Sequence, residues 1–174
     1  LGYHIRMTHI EKIRLLKLLY QYRAMGFEYF QEYRPLSLSK QPALSHNLEE
    51  LKTSVAQCHL CALAKSRKNV IFGAGNLKAK VMFIGDNPGV SEDESGMLFT
   101  GKSGEMLANM IEKVLLLSKE EVYVTTILKC KTPDNRVPTP EEVACCKPYV
   151  MQQIQTIRPQ IIVALGSTSF HHLT

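Results

Sequence analysis

The sequence "KVMFIGDNPG", residues 80–89, joins a run of apolar residues to a turn that holds a carboxylate, a carboxamide, a proline and two glycines. Two more apolar runs follow it, "EVYVTT" at 121–126 and "QIIVALG" at 160–166. Segments with helical periodicity separate the three runs, and this alternation predicts parallel strands joined by helical crossovers. We therefore expect an α/β fold of three layers, α/β/α, with a central parallel sheet.

The segments between the strands predict individual helices. One apolar helical face is expected within residues 103–117, made of Met106, Leu107, Met110, Ile111, Val114 and Leu115. Before the third strand, Thr139 and Glu142 predict a capping box, with Pro140 at the first helical position. Pro148 is expected to interrupt that helix and to place Cys146 near a junction of two helices.

The chain divides into two parts by its sequence pattern. Residues 1–46 predict an N-terminal helix, capped by Thr8 and Glu11, followed by a linker rich in proline and serine. Residues 47–174 predict the α/β domain, in which Asn47 and Glu50 open a helix that runs into Cys58.

Composition narrows the class of protein without naming a function. Apolar residues make up 45% and charged residues 21% of the 174-residue chain, which is typical of a globular protein. The net charge of +5 permits a nucleic-acid partner without requiring one. No apolar run approaches the roughly 20 residues that cross a bilayer, and no signal-peptide pattern is present. We expect a cytoplasmic monomer with no membrane partner.

The cysteines suggest a metal centre. "CHLC" places Cys58 and Cys61 in a C-x2-C pair, and Cys130 and Cys146 follow far along the chain. Four thiolates suit either tetrahedral zinc or an iron–sulfur cluster, and the absence of a second tight pair slightly favours the cluster. Cys145 and Cys146 point about 100° apart on a helix, so only one of them should be a ligand. The alternative, buried cysteines without a metal, suits Cys145 better than the pair.

The turn after the first strand is a candidate ligand site. Open α/β sheets bind their ligands at the carboxyl ends of parallel strands, where Asp86 and Asn87 would project. A purely structural turn is the alternative, because Asp, Asn, Pro and Gly all favour turns for local reasons.

Four stretches together carry a family resemblance. They are "FGAGN" at 72–76, "VMFIGDNPGVSEDESGMLFTGKSGEML" at 81–107, "VYVTTILKCKTPDNRVPTPEEVACCKPYV" at 122–150 and "PQIIVALG" at 159–166. In this order, with the four cysteines, the chain resembles the iron–sulfur uracil-DNA glycosylases, called family 4, over residues 47–170. The resemblance implies a uracil-DNA glycosylase-like fold. It also implies a DNA repair enzyme that flips uracil, or a related deaminated base, out of DNA and hydrolyses its N-glycosidic bond.

The resemblance also implies roles for particular residues. The ligands of a [4Fe-4S] cluster would be Cys58, Cys61, Cys130 and Cys146, the last chosen over Cys145 by its "CKPY" context. Catalysis would rest on Asp86, which stabilises a cationic sugar, and on Asn87, which orients the attacking water. The base would contact Gly85, Pro88, Gly89, Phe99 and Thr126, with Phe99 stacked on the ring or, alternatively, only packed in the core.

The DNA backbone is expected to contact two groups of residues. "GKSGE" places Lys102, Ser103 and Gly104 at a helix N-terminus, which favours an anion such as a phosphate. Arg136 lies with several lysines near the proposed cluster ligands and is expected to bind phosphate as well. Glu92 and Asp93 match an acidic pair of the family and would serve as a pocket wall or as helix caps.

Three departures from the family pattern qualify these expectations. Its G-E-x-P-G turn reads Gly-Asp-Asn-Pro-Gly here, and an asparagine at this place is similar to the mismatch-type glycosylases of the same superfamily. Its T-N-V-V-K-C reads "TTILKC", so Thr126 replaces an asparagine that reads the edge of uracil. A His-Pro motif is expected after the third strand, and neither His171 nor His172 matches it.

These departures leave other functions open. The domain at 47–174 is expected to be truncated at its C-terminus, which puts the activity of this form in doubt. One alternative is a non-catalytic DNA-binding relative with a structural metal centre. Another is a structural or interaction protein held together by zinc.

Overall fold

The structure is a computed structural model that describes residues 47–174. The predicted N-terminal helix and linker, residues 1–46, lie outside the described residues. The predicted boundary between the two parts of the chain therefore stays a prediction.

The described residues form a sheet of four strands in the order β1-β3-β2-β4. Their bounds are Ala74–Gly75 for β1, Val81–Gly85 for β2, Val122–Thr126 for β3 and Ile161–Ala164 for β4. Both β3 and β4 run parallel to β2, as the three apolar runs predict. The short β1 pairs antiparallel with β3 at the edge, an element that the sequence analysis does not predict.

Helices cover both faces of this sheet. They are α1 (Leu48–Ala56), α2 (Leu63–Ser66), α3 (Val90–Ser95), α4 (Lys102–Asn109), α5 (Pro140–Ile157) and α6 (Ser167–Leu173). A π-helical segment, Met110–Val114, continues α4, and short 3-10 turns occupy Lys119–Glu121 and Pro133–Asn135.

Two apolar cores hold the layers together. On one face of β2, Met82 and Ile84 pack in a core shared with α1 and α5. On the opposite face, Phe83 packs with Leu107 of α4 and Ile111 of the π-helical segment. The alternation of side chains along a strand puts neighbours on opposite faces, so both faces are buried. The predicted three-layer α/β/α fold is confirmed.

Helix α5 corrects the predicted break at Pro148. The helix runs without interruption from Pro140 to Ile157, so Cys146 lies inside it rather than at a junction. Proline removes one backbone donor and typically costs a helix about 3 kcal/mol. The half of α5 after Pro148 is packed into the larger core, where Val150 is fully buried and Ile154 nearly so. This burial offsets the local cost. The predicted capping box of Thr139 and Glu142 is present.

The other helices differ from prediction in detail. Helix α1 is capped by Asn47, as predicted, but ends at Ala56, before Cys58. In the predicted 103–117 helix, Leu107 and Ile111 are buried while Met106 is exposed. The π-helical segment has more residues per turn than an α-helix, so no single apolar stripe continues along the whole segment. No helix among residues 47–174 is long and apolar enough to cross a membrane.

Candidate active site and cysteine centre

A cavity of about 510 Å³ opens at the carboxyl ends of β2 and β3. Residues 85–92 form one wall, and residues 101–104 at the start of α4 form another. Phe99, Thr126 and Asn135 are among the other residues of the lining. The volume lies in the range of small-molecule sites, and the position is the one predicted for a ligand.

Asn87 lines this cavity with a carboxamide that is hydrogen-bonded on one side. Its Nδ2 donates a hydrogen bond of 3.0 Å to the backbone carbonyl of Pro88, the next residue in the turn. Within the described part of the chain, no hydrogen bond engages the carboxamide oxygen. A carboxamide has one acceptor oxygen and one donor nitrogen, and here the donor is partly committed. The oxygen remains able to hold a water molecule.

Asp86 anchors the C-terminal helix as well as lining the cavity. Its Oδ1 accepts a hydrogen bond of 2.6 Å from the backbone N–H of Ser169 in the first turn of α6. Gly166, the N-cap residue of α6, supplies no side-chain acceptor, so Asp86 satisfies one of the free N–H groups from a distant segment. One carboxylate oxygen of Asp86 is thereby engaged in holding the fold.

Phe99 lies between the cavity and the smaller core. It lines the cavity and also packs against the smaller core around Phe83. Its φ is 66°, a left-handed backbone conformation that a bulky residue adopts only under constraint. The Nζ of Lys119 lies 5.7 Å from the centre of the Phe99 ring, within the range of a cation–π contact.

Gly104 explains how that conformation is held. The backbone of Gly104 approaches Phe99 so closely that a Cβ on residue 104 would overlap the Cα and the carbonyl carbon of Phe99. The glycine predicted to bind phosphate therefore also has a packing role. Lys102 and Ser103, its neighbours in the first turn of α4, line the same cavity with exposed side chains.

Thr126 ends β3 beside the cavity and is 7% exposed. Its hydroxyl donates a hydrogen bond of 2.6 Å to the carbonyl of Leu128. Its own carbonyl accepts one of 2.7 Å from the Nζ of Lys129. Both the side chain and the backbone of Thr126 are thus held in place.

Arg136 is engaged in an ion pair. Its guanidinium donates from Nη1 to Glu142 at 2.9 Å and also from Nη2 to the same carboxylate. The Arg136 hydrogen bonds are the main reason that the pKa of Glu142 lies below its ordinary value. The pair ties the loop before α5 to that helix, so a phosphate contact by Arg136 would compete with Glu142.

The two acidic residues of α3 have different roles. Glu92 accepts a hydrogen bond of 3.0 Å from the N–H of Gly89, which caps α3, and it also lies in the cavity wall. Asp93, which is buried and does not line the cavity, accepts from the N–H groups of Lys68 and Asn69 at 3.0 and 3.1 Å. Glu92 therefore meets both expectations for this pair, whereas Asp93 ties α3 to the segment after α2.

The four predicted ligand cysteines lie around one region of the larger core. Cys130 and Cys146 are buried in it, and Cys58 and Cys61 pack against it. Burial raises the pKa of the Cys130 thiol, and the nearby thiols of Cys61 and Cys58 add to that effect. Burial raises the pKa of Cys146 to about 11, with contributions from Cys130 and Cys61. Thiols from three distant segments are therefore electrostatic neighbours.

Cationic groups border these thiols. The guanidinium of Arg67 donates to the Cys130 sulfur at 3.2 Å and to the carbonyl of Cys58 at 2.7 Å. Lys129 is fully buried, and desolvation lowers the pKa of its ammonium group to about 7, while its proximity partly offsets the effect of burial on the pKa of the Cys146 thiol. Cations stabilise thiolates, which are the ligand form of cysteine. The donor chemistry and the bordering charge fit an anionic iron–sulfur centre.

The arrangement of the thiols is not itself a ligand set. Within residues 47–174, no group of three or more His, Cys, Asp or Glu residues is arranged to hold a metal ion. The assignment of the four cysteines as ligands therefore stays a prediction. Cys145 is half-buried, as Cys58 and Cys61 are, and its thiol donates to the Leu60 carbonyl at 3.5 Å.

Two features of the site are missed by sequence reasoning. Asn135 lines the cavity from the loop before α5, in a left-handed conformation with φ of 53°. Its only sequence signal is the turn-forming "PDN". The second feature is a buried polar network behind β3, in which Lys129 Nζ donates to Gln153 Oε1 at 2.7 Å and Gln153 Nε2 donates to Tyr123 Oη at 3.0 Å. Lysine and glutamine are usually exposed, so no pattern announces them as buried.

Comparison with known proteins gives a consistent result. The profile described as "Uracil DNA glycosylase superfamily" matches residues 72–174. The chain is 44% identical to the type-4 uracil-DNA glycosylase of Saccharolobus solfataricus. The alignment spans 127 residues, which is 73% of this chain and 59% of that protein. It is 42% identical to the type-4 uracil-DNA glycosylase of Archaeoglobus fulgidus, in an alignment of 120 residues that covers 69% of this chain and 60% of that protein.

A more distant similarity extends to another type. The type-5 uracil-DNA glycosylase of Pyrobaculum aerophilum is 31% identical over 110 residues, with 55% of this chain and 48% of that protein covered. The chain spans about three fifths of the length of the type-4 relatives named above.

Proposed function

The chain belongs to the uracil-DNA glycosylase superfamily, and from this we propose that it excises uracil from DNA by hydrolysing the N-glycosidic bond of a flipped nucleotide. The observation that supports the proposal is that Asn87 and Phe99 line one cavity at the carboxyl end of β2. One group is suited to hold a water and the other to stack on a base. The cavity thus offers both partners of a hydrolysis.

Bond cleavage develops positive charge on the sugar and negative charge on the departing base. Asn87 is too weak a base to deprotonate water early, so its oxygen orients the water while the glycosidic bond breaks first. The second oxygen of Asp86, the one not bound to Ser169, supplies negative charge toward the sugar. Phe99 stacks on the flipped base, whose extrusion costs a few kcal/mol and is easiest for weakly paired uracil.

DNA is held mainly through its phosphates. The first turn of α4, with Lys102 and Ser103, offers free backbone N–H groups and a positive side chain beside the cavity. Because Arg136 is paired with Glu142, its contribution to DNA binding depends on releasing that pair. We expect affinity for DNA to fall steeply with salt.

A [4Fe-4S] cluster held by Cys58, Cys61, Cys130 and Cys146 completes the proposal, with zinc as the alternative. When bound, such a centre joins three chain segments and fixes the loops next to the cavity. The chain's own residues carry the hydrolysis. A cytoplasmic location and a monomeric state are also part of the proposal, and size-exclusion chromatography with light scattering tests the second.

The proposal is tested on a duplex with one uracil opposite guanine, followed by alkali, which breaks the strand at an abasic site. We expect strand breakage, and the Asn87→Ala variant should reduce the rate about a hundredfold or more, as the loss of one preorganised polar group does elsewhere. Asn109→Ala is the matched control, because Asn109 also donates its Nδ2 to a backbone carbonyl but lies outside the cavity lining. An unchanged rate in Asn87→Ala would remove Asn87 from the mechanism.

A second candidate is a DNA-binding relative without activity. Thr126 favours this candidate, because it has a hydroxyl at the position where the family 4 enzymes have an asparagine whose carboxamide reads the edge of uracil. This candidate predicts salt-sensitive binding to uracil-containing DNA with no release of free base. The assay should be run on this chain and on any longer product of its gene. Activity in the longer product alone would mean that this chain lacks part of the site, whereas no activity in either would mean that the fold is inactive.

A further inference from the structure

The position of Thr126 deepens the proposed function, on which this inference rests, by separating the deaminated bases from cytosine and adenine. We propose that Thr126 is a specificity-determining residue that offers the base a hydrogen-bond acceptor and no donor. The cavity then recognises the ring N–H that deamination creates, the N3–H of uracil and the N1–H of hypoxanthine. It rejects the parent bases cytosine and adenine.

Strand geometry directs the Thr126 side chain to the cavity. Thr126 pairs in register with Gly85, which belongs to the turn that forms the cavity wall. Side chains alternate along a strand, so Thr126 lies on the same face of β3 as Val124. Val124 belongs to the smaller core against which Phe99 packs. Thr126 and the proposed stacking ring therefore share one side of the sheet.

The hydroxyl proton of Thr126 is already committed. It is donated to the Leu128 carbonyl over 2.6 Å, while Lys129 Nζ holds the Thr126 carbonyl at 2.7 Å. Lys129 is itself fixed by Gln153 and by the Thr125 hydroxyl, at 2.7 and 2.6 Å. A hydroxyl has one donor and two acceptor lone pairs, so only acceptor capacity remains for a base. Rotating the proton toward the cavity would leave a buried carbonyl without this partner.

This one-sided chemistry selects for a ring donor. Cytosine N3 and adenine N1 are acceptors, and either would face the Thr126 oxygen without a proton between them. Deamination replaces each of these lone pairs with an N–H, which the oxygen can accept. A carboxamide at the same place could also donate to the exocyclic oxygen of uracil, whereas the Thr126 hydroxyl has no proton left to donate to it. The cavity volume of about 510 Å³ does not confine the site to a single-ring base.

The test measures kcat/KM on duplexes that carry one uracil, hypoxanthine, cytosine, adenine or 4-thiouracil. The wild type should release uracil and hypoxanthine, spare cytosine and adenine, and accept 4-thiouracil within about threefold of uracil, because the group at C4 is not read. Thr126→Val should lower uracil and hypoxanthine release about tenfold to a hundredfold, since it removes the acceptor at similar volume. Thr126→Ser should retain both activities, and Thr126→Asn should disfavour 4-thiouracil.

Thr156→Val is the matched control. The Thr156 hydroxyl also donates to a backbone carbonyl, that of Gln152, but it lies on α5 and outside the cavity lining. This variant should leave the base panel unchanged. Binding of the same bases on 2′-fluoroarabino sugars, which resist cleavage, gives a second readout that does not depend on catalysis.

The outcomes separate this inference from the proposed function. Uracil release without hypoxanthine release, or an unchanged uracil-to-cytosine ratio in Thr126→Val, overturns the inference and leaves uracil excision standing. Preferential binding of uracil and hypoxanthine without any release supports the inference and overturns catalysis by this chain. Equal binding of all five bases with no release overturns both.

Discussion

Gly104 and Phe99 show how a small residue and a strained one depend on each other. Replacing Gly104 by alanine would drive a Cβ into the Phe99 backbone, where φ is already 66°. We expect a loss of about 1–3 kcal/mol in the free energy of unfolding, the usual cost of overpacking, because backbone rather than a flexible side chain must move. The displaced ring should also reduce uracil release. Urea unfolding and the cleavage assay measure the two effects.

Ser103→Ala is the control for that substitution. Ser103 precedes Gly104 in α4 and has an exposed side chain, so alanine there should change the unfolding free energy by less than about 0.5 kcal/mol. If Gly104→Ala proves as stable as Ser103→Ala, the close approach to Phe99 does not constrain the site.

Asp86 has two roles that two substitutions can separate. Asp86→Asn keeps an oxygen that can accept from the Ser169 N–H, whereas Asp86→Ala removes both that acceptor and the charge. We expect alanine to lower the unfolding free energy by about 1 kcal/mol, as the loss of a helix N-cap does, and asparagine to lower it less. Both should slow base release, because neither supplies negative charge toward the sugar. Full activity in Asp86→Asn would contradict the electrostatic role.

The site residues divide according to the kind of signal that each one leaves. Asp86 and Asn87 follow an apolar strand within a glycine-bearing turn, and sequence reasoning locates them for that reason. Lys129 leaves no such signal, because its burial depends on hydrogen bonds to Gln153 of α5 and to the hydroxyl of Thr125 in β3. The commitment of the Thr126 hydroxyl to Leu128 is likewise a property of the chain's path after β3.

Among the elements, α5 couples stability to pH through its capping box. Hydrogen bonds from Arg136, followed in size by the opposing effect of burial, leave the pKa of Glu142 below its ordinary value of 4.5. A carboxylate with a depressed folded-state pKa stabilises the fold fully above its unfolded-state pKa, and this contribution is lost as the pH falls through the lower folded-state value. Acid should therefore weaken the start of α5.

The test is urea unfolding of Glu142→Gln between pH 7 and pH 3. At pH 7 the variant should be less stable, because it loses part of a cap that contributes about 1 kcal/mol. Below pH 4.5 the difference from wild type should shrink, because the wild-type carboxylate becomes protonated as well. Glu141→Gln, an exposed neighbour in the same turn, should track the wild type. A constant difference across this range would mean that the ion pair with Arg136 contributes nothing.

The elements were predictable where local pattern and burial agree. The strands β2, β3 and β4 are continuous apolar runs, and the caps of α1 and α5 follow from Asn47 and Thr139. The prediction fails at Pro148, where packing of Val150 and its neighbours keeps a helix that local propensity would end. It also misses β1, because a pairing of two residues leaves no period to detect.

At the scale of the whole molecule, the layers follow from the sequence but the meeting of the cysteines does not. Apolar runs that alternate with amphipathic segments require a sheet covered on both faces, and the two cores realise this. Spacing alone does not predict that Cys58 and Cys61 lie beside Cys130 and Cys146, since a long stretch of chain separates them. The expectation that they meet rests on the chemistry of four thiolates and on the family resemblance, and the fold places all four on one side of the sheet.

The proposed cluster should therefore act on the stability of the whole fold. We expect the purified protein to be brown, with about four irons per chain by the chemistry of a [4Fe-4S] centre. Cys130→Ser should lose the colour and the iron. It should also lower the unfolding free energy on the order of 4 kcal/mol, the value for a ligand at a thousandfold excess over its dissociation constant. The free energy of unfolding falls because the three chain segments that carry the ligand cysteines are no longer joined by the cluster.

Cys145→Ser is the matched control, because Cys145 neighbours a predicted ligand in α5 but bonds only weakly to the Leu60 carbonyl. It should keep the colour, the iron and the stability of the wild type. A colourless protein that contains zinc and loses it in Cys130→Ser would replace the cluster by the zinc alternative. A protein that holds neither metal, and in which the two serine variants are equally stable, would reduce the four thiols to core packing. In that case the charge of Arg67 beside Cys130 would need another explanation, since a cation beside a neutral buried thiol gains no anionic partner.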